Sequence, residues 1–211
     1  VNFSLLYAYA PLLKEEEKKY ENFSKSIRRR AATIGGHNMD DYPLKMHVFN
    51  RARLIKNSKN RIPYGVDLIQ KYKRESWIVF TENKKQAKEF NKIINTKGFK
   101  SALYNTDLDS TERLENLNKF KKADLNVLVT CTALDEGFDM PEADGALILS
   151  ASSSKRQRVQ RMGRVLRITE NKPNALIVTV YSSKTEFDKL MEEAKRYHKE
   201  GVPVSWKRQD R

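Results

Sequence analysis

Residues 76–105 read SWIVFTENKKQAKEFNKIINTKGFKSALYN, and the two rhythms inside this stretch decide the fold. It opens on SWIVFT, a short apolar run of the kind that forms a buried strand. Ala87, Phe90, Ile93 and Ile94 then recur at the spacing of one helix face, and Gly98 closes the run. SALYN, residues 101–105, returns to a strand. Ser110 is the expected N-cap of the next helix, which carries Leu114, Leu117 and Phe120. NVLVT (126–130) and GALIL (145–149) continue the alternation, followed by a helical stretch over 158–167. ALIVTVY (175–181) and a helix with Phe187, Leu190, Met191, Ala194 and Tyr197 complete it. Continuous apolar strands separated by helices specify a parallel sheet covered on both faces, hence an α/β fold. Ligands of such sheets sit beyond the carboxyl ends of the strands. The loops that follow SWIVFT, NVLVT and GALIL are therefore the expected working edge.

Upstream, the texture is helical. Pro11 precedes a run in which Tyr20, Phe23 and Ile27 share a helix face, and Gly35-Gly36 ends it. Acidic residues cluster at its start and arginines at its end, as the macrodipole favours. Arg28-Arg29-Arg30 fits helix-end chemistry and a binding patch equally well. Leu44, Val48, Ala52 and Ile55, then Val66, Ile69 and Tyr72, mark two further helices. The expected division is a helical lead-in over 1–73 and an α/β domain over 74–211. The opening VNFSLLYAYAPLL has no basic n-region and is too short to span a bilayer. Without an initiator methionine, Val1 reads as an internal residue of a longer chain.

The 211 residues carry a net charge of +14, with 39% hydrophobic and 32% charged residues. That balance points to a polyanionic partner, nucleic acid ahead of membrane; a general lysine bias is the alternative. Cys131 is the only cysteine, which rules out an intramolecular disulfide and favours a reducing compartment, cytoplasmic or, in a eukaryote, nuclear. His37, His47 and His198 lack ligand spacing, so no metal site is expected.

The segment RVQRMGRVLR (158–167) divides its faces. Gln160, Arg164 and Arg167 form a polar stripe, and Val159, Met162 and Leu166 an apolar one. Gly163 costs roughly 1 kcal/mol in a helix interior, so its presence suggests close backbone approach to something. Asp135 and Glu136 are not a metal-binding acid pair, because Cys131 to Leu134 separate them from the NVLVT strand.

WIVFTEN, VLVTCTALDEGFDMPEAD and QRMGRVLR, in this order, resemble motifs IV, V and VI of superfamily 2 helicases and translocases. The resemblance covers about residues 74–182. Its wording is closest to restriction-enzyme motor subunits and related repair and transcription helicases. It implies a RecA-like domain, the second of two, with a helical N-terminal extension. It further implies that Arg164 and Arg167 are arginine fingers directed at the γ-phosphate of ATP held by a partner RecA-like domain. A guanidinium suits that role because it stays charged and grips phosphate oxygens with two donors.

By the same resemblance, Gln160 touches the nucleotide or the other domain. Arg161 touches the nucleotide or pairs within its own domain. Gly137 and Asp139 belong to a loop whose aspartate accepts from the ATP ribose hydroxyls, or else caps a turn before Pro141. Thr130, Cys131 and Thr132 hold a nucleic-acid phosphate, although relatives carry threonine where Cys131 stands. Thr81 and Asn83, with Glu82 between them, open a helix whose N-terminus is a phosphate site; Lys84 and Lys85 either assist or decorate a solvated face. The chain contains no GxxxxGK[ST] and no DExx box. The nucleotide cradle and the Mg²⁺ ligands are therefore expected on the first RecA-like domain. DNA is the preferred nucleic acid. A non-catalytic adaptor is the rival reading, and it predicts decayed motif VI arginines, whereas these are intact.

Overall fold

The computed structural model describes residues 3–131, 142–150 and 175–208. Among them, seven strands form one sheet: β1 (Phe3–Tyr9), β2 (Trp77–Thr81), β3 (Ser101–Tyr104), β4 (Val127–Cys131), β5 (Gly145–Ile148), β6 (Ala175–Tyr181) and β7 (Val204–Arg208). Their order is β3-β4-β2-β5-β6-β1-β7, and every pairing is parallel. The described helices are α1 (Lys14–Thr33), α2 (Tyr42–Lys56), α3 (Arg61–Lys71), α4 (Lys84–Thr96), α5 (Ser110–Lys121) and α6 (Lys184–Lys199).

Strands buried on both faces explain the continuous apolar runs. On one face Ile78, Phe80, Leu128, Ile148 and Ile177 pack with Leu117 and Phe120 of α5 and Leu190 of α6. On the other, Trp77, Val79, Val129, Leu147 and Val178 pack with Val66 and Ile69 of α3 and Phe90 and Ile94 of α4. The result is three layers with two apolar cores, as the sequence implies. At Gly145 a Cβ would lie 2.5 Å from the buried Trp77 ring, so the indole takes the space a side chain would fill.

The helical reading of the first third needs one correction. Residues 3–9 are a strand lying inside the sheet, between β6 and β7. Leu5 and Tyr7 enter one core and Leu6 and Ala8 the other, the two-residue period of a strand. The cap of α5 also moves by one residue: Asp109, not Ser110, accepts from the Glu112 N–H at 2.7 Å. Helices α1 and α2 form a hairpin joined by polar contacts. Arg51 donates to Ser24 Oγ at 3.2 Å and sits over the Tyr20 ring, while Arg30 chelates Asp41. Among the described residues no helix is long and apolar enough to cross a membrane.

Candidate functional site

The β2–β4 register sets Phe80 beside Thr130 and Thr81 beside Cys131. Three residues expected to meet nucleic acid are thus gathered at one point of the carboxyl edge, with Asn83 just beyond. The two threonine hydroxyls turn inward. Thr81 Oγ1 lies 3.2 Å from the carbonyl oxygens of both Thr130 and Asn83, and its one proton serves them in turn. Thr130 Oγ1 donates to the Cys131 carbonyl at 3.3 Å. Thr81, Thr130 and Cys131 are all buried. These side chains are spent within the chain and shape the edge from inside. Thr132, Gly137, Asp139, Gln160, Arg161, Arg164 and Arg167 lie outside the described residues.

Asn83 caps α4. Its Oδ1 accepts from the Gln86 N–H at 2.9 Å, and its Nδ2 donates to Asn57 Oδ1 at 2.6 Å. The Gln86 side chain returns to accept from the Glu82 N–H at 2.9 Å. Lys84 is engaged within the chain: its ammonium pairs with Asp107, which Lys88 also meets at 3.1 Å. The hydrogen bond from Lys84, then that from Lys88, holds the Asp107 carboxyl below the ordinary carboxylate range. Lys85 is exposed.

The neighbouring part of the edge is organised by a residue that sequence reasoning passed over. Arg61, fully buried at the start of α3, spends its whole guanidinium on the chain. Nε donates to the Ile55 carbonyl at 2.9 Å and to Ser58 Oγ at 3.2 Å. Nη1 donates to the Leu149 carbonyl at 2.6 Å and the Val180 carbonyl at 2.7 Å. Nη2 meets both Glu186 carboxylate oxygens at 2.7 Å. Other long-range bonds surround it. Ser58 and Ser182 share a bond of 3.1 Å, Asn60 donates to the Pro11 carbonyl at 2.7 Å, and Glu16 accepts from the Lys59 N–H at 2.9 Å. Glu82 bridges Lys56 at 2.5 Å and Ser150 Oγ at 3.0 Å. A signal for Arg61 was available: Arg61, Gly65 and Leu68 lie on one helix face, and a charge on a buried stripe demands partners.

An all-parallel sheet in this order, with the motifs that begin at β2 and β4 running to the carboxyl ends of those strands, has the form of a RecA-like domain of the superfamily 2 kind. The comparisons with known proteins make the assignment specific. The helicase conserved C-terminal domain family matches residues 60–169, more than half of the chain. The chain belongs to that family. It is 30% identical over 193 residues to the DNA 3'-5' translocase XPB2 of Sulfurisphaera tokodaii, covering 84% of this chain and 42% of the relative. It is 28% identical over 166 residues to the ATP-dependent RNA helicase DBP3 of Ajellomyces capsulatus, covering 75% of this chain and 32% of that protein. The chain thus spans less than half of either relative. Among solved structures, the C-terminal domain of the DEAD-box protein Dbp5 shares the fold with a TM-score of 0.61 at 19% identity, covering 72% of this chain and 85% of that one.

Among the described residues no group of three or more His, Cys, Asp or Glu side chains is placed to hold a metal ion.

Proposed function

We propose that the chain is the second motor domain of an ATP-dependent DNA helicase or translocase and completes an ATP site whose other wall is a first RecA-like domain. The observation that carries this reading is the family match over 60–169, which takes in the carboxyl ends of β2, β4 and β5 together with the arginine-rich segment. In this reading Arg164 and Arg167 stabilise the charge on the transferring phosphoryl group, a contribution of about 10³ to 10⁵ in rate. Gly137, Asp139, Gln160 and Arg161 face the nucleotide. Mg²⁺, held by the first domain, neutralises phosphate charge. The backbone after Thr81 and around Thr130, Cys131 and Thr132 follows nucleic-acid phosphates, helped by the net charge of +14. DNA is favoured over RNA because the relative at 30% identity is a DNA translocase.

The test uses residues 1–211 as purified protein. Single-stranded DNA is expected to bind weakly, with affinity falling steeply as salt rises. No DNA-stimulated ATP turnover is expected, since the chain has no GxxxxGK[ST] loop. Turnover at the rate of an intact motor would overturn the proposal.

A further inference from the structure

The loop between β2 and α4, residues 82 and 83, is proposed above to meet phosphates, yet it carries a carboxylate. An ionised glutamate at that point repels a polyanion. Both of its oxygens are engaged within the chain. Glu82 Oε1 meets the Lys56 ammonium at 2.5 Å, and Oε2 accepts from Ser150 Oγ at 3.0 Å. The Lys56 and Glu82 side chains are 26% and 25% exposed, so solvent screens this pair less than it screens an open surface pair.

A second link runs beside the first. Asn83 Nδ2 donates to Asn57 Oδ1 at 2.6 Å, and Asn57 Nδ2 donates in turn to the Arg53 carbonyl at 2.8 Å. Gln86 Nε2 donates to the Lys56 carbonyl at 3.3 Å, while its Oε1 accepts from the Glu82 N–H. The last residue of α2 and the C-cap after it thus grip the loop and the first turn of α4. Both precede residue 60, where the helicase family match begins, so the grip comes from outside the matched segment. Asp107 is neutralised by nearer means: Lys84 and Lys88, both on α4, meet it. A pair close to the surface adds little to stability, so the arrangement is better explained by the charge it removes from the edge.

We infer that Lys56 is a positioning residue for nucleic-acid binding: it neutralises Glu82 and, with Asn57 holding Asn83, keeps that carboxylate bonded inside the fold. The inference rests on the reading above that the backbone after Thr81 follows nucleic-acid phosphates. Lys56 touches no phosphate in this account and acts through Glu82. The hairpin of α1 and α2 thereby sets the charge of the edge, because withdrawing Lys56 uncovers a carboxylate there.

Equilibrium binding of a labelled single-stranded oligodeoxynucleotide to the full-length protein tests it. The variants are Lys56→Met, Glu82→Gln, the pair of them and Lys85→Glu, each checked by thermal unfolding to be folded at the assay temperature. Lys56→Met is expected to weaken binding about fivefold at low salt, with the loss shrinking as salt rises. Adding Glu82→Gln should bring affinity back to within about twofold of wild type or better, because the uncovered charge is gone. A merely structural role predicts no rescue, since the double variant lacks both sides of the ion pair. A double variant as weak as Lys56→Met would overturn the inference, and is what a lysine in direct contact with phosphate would give. An unchanged Lys56→Met would overturn it as well. Lys85→Glu reverses an exposed charge in the first turn of α4 and probes the underlying reading. It is expected to weaken binding about tenfold. A silent Lys85→Glu would overturn both that reading and the inference, whereas a weakened Lys85→Glu beside an unrescued double variant would overturn the inference alone. Should Lys56→Met not fold, Lys56→Gln, which keeps a donor for Glu82 without the charge, carries the same test with the same expected rescue.

Discussion

At the carboxyl ends of β5 and β6 one buried guanidinium ties both strands at once; at those of β2 and β4 the ties are made singly, by short polar side chains to their immediate spatial neighbours, a local arrangement. Arg61 reaches Leu149 and Val180, Glu16 reaches Lys59, and Ser58 meets Ser182. By contrast Thr81 bonds across one strand pair, Thr130 bonds the next residue, and Asn83 caps the helix it opens. The difference teaches a division of labour. One half of the edge is a fixed abutment from which a long connection departs. The other half is a row of strand ends and a helix N-terminus with its hydroxyls turned inward.

The comparison can be broken most severely at Arg61. Arg61→Ala leaves the Glu186 carboxylate and three backbone carbonyls without their buried partner, and is expected to cost about 3–5 kcal/mol in urea unfolding. A loss no larger than that of a surface substitution would show that the abutment is not held by this residue. The local half should respond more mildly. Asn83→Ala removes the α4 cap and is expected to cost about 1 kcal/mol in the same assay. A loss as large as that of Arg61→Ala would erase the distinction between the halves.

The smallest effect is electrostatic. Asp107 titrates below its ordinary range because Lys84, and after it Lys88, bonds its charged form. Its contribution is therefore complete above the ordinary carboxylate pKa and is lost as pH falls through the depressed one. Because the pair is solvent-accessible, the change is expected to be small and to shrink in salt. Thermal midpoints of wild type and Asp107→Asn should converge at acid pH; a gap that persists there would contradict the pairing.

The sequence made the central strands legible because burial on both faces leaves an unbroken apolar signature, as in WIVFT and VLVTC. The same burial hid β1. Its partners, β6 and β7, lie at the far end of the chain, and an apolar run beside a strongly helical stretch carries no mark of which element it joins. Strand β7 was hidden for the opposite reason: VSWKR lies at the sheet edge with Ser205 and Trp206 exposed, and so lacks a buried pattern. The motif residues could be named because their order resembles a known family, but Thr81 and Thr130 show the limit of naming. A motif fixes residue type, whereas only the sheet register reveals that both hydroxyls are spent inside. Arg61 was obscured by its acceptors, which are mainly backbone carbonyls, and any residue supplies those.

The measurement that bears most directly on the whole account is DNA-stimulated ATP turnover of the full-length protein, wild type against Arg164→Ala, with nucleotide affinity determined alongside. A fall in kcat of about a thousandfold or more, with ATP still bound, is the predicted result. An unchanged kcat, or no DNA stimulation in the wild type, would contradict the motor assignment and favour a binding module built on the same fold.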